Sequence, residues 1–356
     1  MKKITFITTS QFGYLVDTFK YCQYLDNTYD IQYICFDMGL AKISLPNVKV
    51  HYVPHVGNTV FRGIIFILYC LFYIAFKKSF VFVVYFRKLS WLKRILPYKY
   101  VHLDIRTLSV LSKEIERTND DFNLRKEIKY YNSVSAISPG VIKKLNVDKE
   151  IFYLPLGADV ISNSNKDFHD FKLLYVGTLY NRRIIDTIVG LKKFRDKNPN
   201  LKISYDIVGD GDEKQLIEEY VIKNNLESIV KIHGLIPHDK LSYFFDNANI
   251  GVSYIPITDY YTYQPPTKTY EYAFSGLVNI ATATESNKLI INKDNGILIS
   301  DNSESFYEGL EILNKTFSSY DSMKIRNSVK EYSWKNIVEK YLKQILSQNE
   351  KEISIC

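Results

Sequence analysis

The feature that most constrains this chain is the recurrence of short apolar runs along its whole length. KITFITT, IQYICF, VKVHYVP, FVFVVYF, YKYVHLDI and SVSAIS occupy the first half. KLLYVGTL, KISYDIVG, VKIHGLI, IGVSYIP, LVNIAT and GILIS occupy the second. Each is short and bounded by turn or helix signals. Such runs are strands buried on both faces, the habit of parallel sheets. Between them lie helical patterns. One is YLVDTFKYCQYL after Gly13; another is DEKQLIEEYVIKNN, opened by Asp212 with Gln215 three residues on. The polar stretch 159–170, DVISNSNKDFHD, has no periodicity and reads as a linker. The expected architecture is α/β, two doubly wound Rossmann-like domains facing across a cleft, at residues 1–160 and 171–330. A C-terminal helical segment, 331–356, follows. In such sheets ligands sit outside the carboxyl ends of the strands.

The 356 residues are enough for two domains, and 46 % apolar with 24 % charged residues is a globular balance. The formal charge of +7 suits an acidic partner without choosing one. The 29 tyrosines suit half-wet surfaces and sugar faces as well as cores. Cys22, Cys35, Cys70 and Cys356 show neither CxxC pairing nor metal spacing, which predicts a reduced, cytoplasmic chain. Met1-Lys-Lys runs straight into ITFITT without the apolar region of a signal peptide. The six histidines form no HExxH, and no acidic cage stands out, so no metal is expected. There is no GxGxxG; GDGDE, at 209–213, reads as a turn and helix cap.

Residues 63–78, GIIFILYCLFYIAFKK, hold 13 consecutive apolar or aromatic residues. A bilayer span needs about 20. The stretch is either a core helix of the first domain or a helix lying in a membrane interface. The next segment, RKLSWLKRILPYK, interleaves Arg87, Lys88, Lys93, Arg94 and Lys99 with Leu89, Trp91, Leu92, Ile95 and Leu96. That pattern favours a basic amphipathic helix on an anionic surface. Residues 61–99 are therefore expected to hold the protein peripherally on the inner face of the cell membrane. They lack the context of an RNP or helix-turn-helix motif, so no nucleic-acid partner is expected.

The densest chemistry lies in YQPPTKTYEYAFSGLVNIAT, 263–282. Pro265 and Pro266 end the preceding strand and set the backbone for a helix start. The amides of Thr267, Lys268, Thr269 and Tyr270 are then that helix's free donors, and a helix N-terminus binds phosphate well. Lys268 adds a full charge. Glu271, placed in the first turn, can accept two hydroxyl hydrogen bonds of the kind a ribose offers.

PPTKTYEYAFSGLVNIAT resembles the donor-binding segment of family 4 glycosyltransferases, whose fold is GT-B. LLYVGTLYNRR is similar to the first strand and loop of that family's second domain, VGRLxxxKG. The resemblance places Gly177 in the loop, assigns Arg183 to the diphosphate, and puts Thr178 where the family has an arginine, with Arg182 as its substitute. It assigns the backbone of Gly234, Leu235 and Ile236 to the nucleotide base. Of two glutamates separated by seven residues in the family, the second corresponds to Glu271 and the first to Tyr263, a phenol that cannot replace the charge. In the first domain, Asp104 and Arg106 stand where the family has polar groups beside the reacting sugar. Gly13 stands in its glycine loop, and His102 reads as a packing residue. The C-terminal SWKNIVEKYLKQIL resembles the helix that crosses back to the first domain.

The resemblance implies transfer of a hexose from a nucleotide-diphosphate sugar, with retention, without metal and without a separate cofactor. It implies a role in bacterial surface polysaccharide synthesis, and the greasy first domain suits a lipid-diphosphate-linked saccharide acceptor. A sugar-nucleotide epimerase of the same layout and a non-catalytic membrane-bound partner of another transferase are the alternatives.

Overall fold

The computed structural model describes residues 2–77 and 79–353. Met1, Lys78 and Cys356, which figure in the sequence analysis, lie outside the described residues. The chain divides into two compact units. The first contains residues up to Leu156 and the segment from Trp334 onward; the second runs from Gly157 to Ser333.

The first unit runs β1 (Lys2–Ile7), α1 (Val16–Leu25), β2 (Tyr29–Asp37), β3 (Val48–Pro54), α2 (Thr59–Ile74), β4 (Phe80–Val84) and α3 (Ser90–Ile95). It continues with β5 (Val101–Ile105), α4 (Glu114–Ile128), β6 (Ser133–Ala136), α5 (Pro139–Leu145) and β7 (Phe152–Tyr153). Its sheet has the order β3-β2-β1-β4-β5-β6-β7, and all its pairings are parallel. The central strands are apolar on both faces because helices cover both. Phe6 on β1 meets Tyr21 of α1, Tyr33 of β2 and Phe82 of β4, with ring centroids 6.5, 6.3 and 5.2 Å away. The two-residue β7 at the sheet edge is too short to show in the apolar pattern.

The second unit runs β8 (Phe171–Val176), α6 (Ile185–Lys197), β9 (Ile203–Val208), α7 (Lys214–Lys223), β10 (Val230–Gly234), α8 (Ser242–Asn247) and β11 (Ile250–Ser253). After it come α9 (Thr267–Phe274), β12 (Val278–Thr282), β13 (Gly296–Ile299), α10 (Ser303–Thr316) and α11 (Ser322–Ser328). Its parallel sheet has the order β10-β9-β8-β11-β12-β13. Counted from its own first strand, that is the doubly wound order 3-2-1-4-5-6. The order reverses between β8 and β11, so the loops at the carboxyl ends of these two strands flank the point where such sheets bind ligands.

The C-terminal segment comprises α12 (Trp334–Ile337), one π-helical turn (Val338–Leu342) and α13 (Lys343–Ile353). It packs on α1 and β4. Trp334 is buried edge-on against Tyr21 at 6.0 Å.

Three local expectations change. Residues 159–170 are not a free linker but are fastened to the second unit. Buried Ser162 donates to Asp246 Oδ1 (2.5 Å), and the Asn249 side chain donates to Asp167 O and Asp170 O. Polar composition signals solvent only when no buried partner waits for it. Secondly, α7 opens at Lys214 after Glu213, and Asp212 gives it no side-chain cap. Thirdly, RKLSWLKRILPYK forms only the six-residue α3, with Leu89, Leu92 and Leu96 buried. Lys99 turns inward there, its Nζ donating to Lys77 O, so it is not part of a basic surface.

Candidate functional site

The loop after β8 is shaped by two glycines and one carboxylate. Gly177 has φ +149°, and Gly209, after β9, has φ +155°. A Cβ on Gly209 would lie 1.8 Å from Gly177 O, so the two backbones can approach this closely only without side chains. Glu213 then takes up the next three free amides. Its Oε1 accepts from Arg182 N (2.7 Å) and Arg183 N (2.8 Å), and its Oε2 from Ile184 N (3.0 Å).

Within this turn Asn181 and Arg183 adopt left-handed φ of +51° and +55°. The two arginines consequently have different fates. Arg183 forms ion pairs with Asp186 (2.7 Å) and Asp301 (3.4 Å). Its guanidinium, expected on a diphosphate, is engaged here by two carboxylates. Arg182 lies over the Tyr261 ring at 4.4 Å, and its Nη1 is buried without a hydrogen-bond partner.

Lys268 comes from the other side of the switch point, on the first turn of α9. Its Nζ lies 3.7 Å over the Tyr175 ring and 2.8 Å from where a Cβ on Gly177 would stand. Burial, and then the charge of Arg182, hold its ammonium well below the usual lysine range; Glu271 opposes the shift. Among the described residues neither Arg182 nor Lys268 is ion-paired with a carboxylate. Arg182 and Lys268 thus share a half-buried corner in which no carboxylate forms an ion pair with either. α9 begins beside them, with Pro266 as its N-cap residue and no side chain capping it. Thr267 is exposed at this end.

A cavity of about 520 Å³ adjoins the corner, lined by Gly177, Thr178, Gly209, Gly211, Leu235 and Ile236 among others. Its walls are mostly apolar, and Asp210 and Asp212 also border it. An anion is therefore favoured at the Lys268 end and disfavoured at the Asp210 end. Leu235 is 82 % exposed, an apolar surface available for stacking. Gly234 ends β10 with φ +68° and accepts from Gly209 N, tying the Leu235–Ile236 loop to the glycine pair.

Glu271 lies in the second turn of α9, not the first, because the helix starts at Thr267. Its carboxylate is 17 % exposed, and His238, on the loop after Ile236, comes within 3.9 Å. Glu271 therefore faces the stretch between the cationic corner and the Leu235–Ile236 loop. Tyr263 is half-buried on the loop leading into α9. Thr269 is a correction: its amide, expected to be a free donor, donates to Pro266 O (3.1 Å), and its side chain points into the core. There it bonds Asn287 Oδ1 (2.9 Å) and Ser253 Oγ (2.6 Å). Thr178 is exposed, and its hydroxyl accepts from Tyr180 N.

The first unit departs most from expectation. Asp104 is completely buried and accepts from Ser135 Oγ (2.6 Å), which also meets His102 Nε2 (2.9 Å). Burial raises the Asp104 carboxyl to about 6, against the pull of Arg106 and Ser135. Burial likewise lowers His102 to about 3. Arg106 donates to Asp17 Oδ2 (2.6 Å) and Leu154 O (2.8 Å). Asp104 and Arg106 thus join β5, β6 and α1 in an internal polar network, in which Asp104 Oδ2 and Arg106 Nη2 are buried without a hydrogen-bond partner. Gly13 has φ +92°, and a Cβ there would lie 2.4 Å from Ile43 Cδ1. The left-handed turn favours glycine there, and Ile43 packs over it.

Three contributors escaped the sequence reading: Tyr175, which seats Lys268; Tyr261, which seats Arg182; and Glu213, which shapes the loop. Only Glu213 left a signal, as the acid closing GDGDE.

No family model matches the chain, and no curated protein matches it by sequence. Solved structures do. Sucrose-phosphate synthase from Thermosynechococcus elongatus superposes with a TM-score of 0.79 at 15 % identity, over 99 % of this chain and 100 % of that one. The fold is GT-B. HepE of Anabaena, solved with UDP and glucose, matches with a TM-score of 0.70 at 12 % identity, over 98 % of this chain and 100 % of its own. The lipopolysaccharide outer core galactosyltransferase WaaB matches at 0.67 and 16 % identity, over 97 % and 99 %. The GT-B order accounts for both sheets and for the return of the chain to the first unit at Trp334.

Proposed function

We propose that this protein is a glycosyltransferase using a nucleotide-diphosphate sugar, with its nucleotide held by the second unit. The observation that carries the reading is the pair Arg182 and Lys268, unneutralised beside the start of α9 and next to an apolar cavity. A diphosphate at this corner relieves the repulsion between the two cations and accepts from the free amides of the helix end. The base then extends along the cavity toward Leu235 and Ile236, and the ribose hydroxyls meet Glu271. HepE holds UDP in its structures, which makes UDP-sugars the first donors to test.

In the reaction the bond from the anomeric carbon to the diphosphate oxygen breaks, an acceptor hydroxyl oxygen bonds that carbon, and the hydroxyl proton passes to the departing diphosphate. Negative charge grows on the departing diphosphate, and Lys268, Arg182 and the α9 amides are placed to stabilise it. Retention, metal independence and a hexosyl donor rest on the family 4 resemblance of the α9 segment. A lipid-diphosphate-linked acceptor in surface polysaccharide synthesis and a place on the cytoplasmic side of the membrane rest on the same resemblance and on the greasy first unit.

The test is calorimetric titration with UDP, ADP and GDP, followed by transfer assays with the matching sugars. Lys268→Ala and Arg182→Ala should each lower the transfer rate about 10²-fold, roughly 3 kcal/mol, the usual effect of removing one donor to a developing anion. Arg183→Ala should stay within a few-fold of the parent. Absence of nucleotide binding, or near-normal turnover in both Lys268→Ala and Arg182→Ala, would overturn the reading. Binding without turnover on any donor would instead favour the non-catalytic partner.

A further inference from the structure

The helix α2 buries only one of its faces. Phe66, Cys70 and Ile74, spaced by four, are inside. On the outer side Phe61, Ile64, Leu68 and Phe72 are 52, 54, 57 and 75 % exposed, and Phe76, just past the helix, is 97 % exposed. The only residue in the helix proper that is charged at neutral pH is Arg62, which is held by His55 (2.7 Å) and Thr59. A water-facing helix would carry charges on this side. The adjoining α3 adds Trp91 and Ile95, each 49 % exposed. The result is one contiguous apolar surface of the kind monomeric proteins rarely leave open.

The segment that builds it is one-sided in charge, although Asp120 pairs with Arg87 (3.7 Å) and Glu127 accepts from Lys88 N and Ser90 N at its edge. Residues 38–103 contain ten lysines and arginines and not one aspartate or glutamate. The whole chain carries +7, so everything outside this stretch is net negative. Not all ten reach the surface. Lys99 is buried, and Lys93 donates to Pro97 O. Lys88 and Arg94 are exposed, and Arg94 lies over the exposed Trp91 at 4.4 Å.

We propose that the first unit docks on an anionic lipid bilayer through α2 lying flat in the interface. Phe61, Ile64, Leu68, Phe72 and Phe76 enter the acyl boundary, while Trp91, Lys88 and Arg94 sit at headgroup level. The helix is about 24 Å long at 1.5 Å per residue, and no helix among the described residues is long and apolar enough to cross a membrane. An apolar face on a short helix with basic neighbours is the arrangement of an interfacial helix. A second copy of the chain fits less well. A two-fold contact would bring Lys88 and Arg94, neither of them in an ion pair, against their own copies. The ten positive charges of this stretch draw the face toward a negative surface. The proposal stands on the first unit alone and does not need the transferase reading.

The chain has two tryptophans, and Trp334 is buried, so Trp91 reports the docking. The full chain is mixed at physiological salt with vesicles of phosphatidylcholine, with or without one quarter phosphatidylglycerol. Fluorescence and flotation are both read. Expected are a blue shift and flotation with the anionic vesicles, and much weaker binding to pure phosphatidylcholine. Leu68→Ser with Phe72→Ser should weaken binding more than about 10-fold, since two large apolar side chains no longer enter the membrane. Lys88→Glu with Arg94→Glu should abolish the preference for phosphatidylglycerol. Both variants change exposed side chains, so an unchanged melting temperature confirms folding, and unchanged nucleotide affinity separates this test from that of the donor site. No flotation of the parent, or parent-like binding by both variants, overturns the proposal. So does a dimer that Leu68→Ser with Phe72→Ser dissolves in a protein that binds no vesicle.

Discussion

Lys268 occupies a place where a lysine is hard to keep charged, and this has a measurable consequence. Its ammonium lies on Tyr175 near Arg182, and burial holds its pKa well below the ordinary 10.5. A diphosphate beside it reverses that balance and raises the pKa. Between the depressed value and 10.5, nucleotide binding should therefore take up a proton, and affinity should fall as pH rises. Titration calorimetry in two buffers of different ionisation enthalpy should show uptake in the parent and its loss in Lys268→Ala; equal uptake in both would mean another group titrates. Lys268 was legible because its setting is local: two prolines, a lysine and a helix pattern in adjacent positions. The choice between Arg182 and Arg183 was not. It is made by left-handed turns at Asn181 and Arg183 and by Glu213, 30 residues on, which no short-range pattern reports.

At the scale of elements, loops and strand ends carry the specification. The Glu213 carboxylate holds three consecutive amides of the 182–184 turn. Glu213→Ala should cost about 2 kcal/mol in denaturant unfolding, within the range for orphaned donors. It should also weaken nucleotide binding by releasing Arg182, whereas Glu213→Gln should recover part of both. A parent-like affinity in Glu213→Ala would show that the turn holds itself. At the end of β5, Asp104 titrates at about 6 instead of 3.8 because it is buried. A raised carboxyl pKa means that the folded state binds the proton more tightly. Protonated Asp104 therefore adds stability that is complete below 3.8 and lost as pH rises through about 6. The two-unit shift corresponds to about 3 kcal/mol. Asp104→Asn keeps an oxygen for the Ser135 hydroxyl and cannot ionise. The stability difference, parent minus variant, should fall across that window; a flat difference from pH 4 to 7 would refute the assignment. The sequence marked the end of β5 as chemical, but the network partners Ser135 and Asp17 come from other elements, so its burial was invisible. The apolar run at 63–75 was legible as a helix. Which face it buries depended on the placement of β2 and β3, whose Phe36 and His51 meet Phe66 and Tyr73.

At the scale of the whole molecule, the chain builds its first unit from two separated pieces. The repeating strand pattern made both sheets readable, because a parallel strand covered on both faces needs an unbroken apolar run. The membership of 334–353 was readable only through the family resemblance, since an amphipathic helix does not say what it covers. In the structure Trp334 follows directly on the second unit yet fills space against Tyr21 of the first, with Ile337, Val338 and Leu342 also buried. Replacing a buried tryptophan with alanine removes its transfer energy and leaves a cavity, for about 3–5 kcal/mol. The loss should be confined to the unit whose core is opened. Hydrogen exchange of Trp334→Ala should therefore accelerate in β1, α1 and β4, while β8, β9 and β12 keep the parent's rates. Saturating nucleotide, which at 100 times its Kd adds about 2.7 kcal/mol to the unit that binds it, should slow exchange in the second unit of parent and variant alike. It should not rescue β1 and β4. Acceleration spread equally over both sheets would mean that Trp334 supports the two units together.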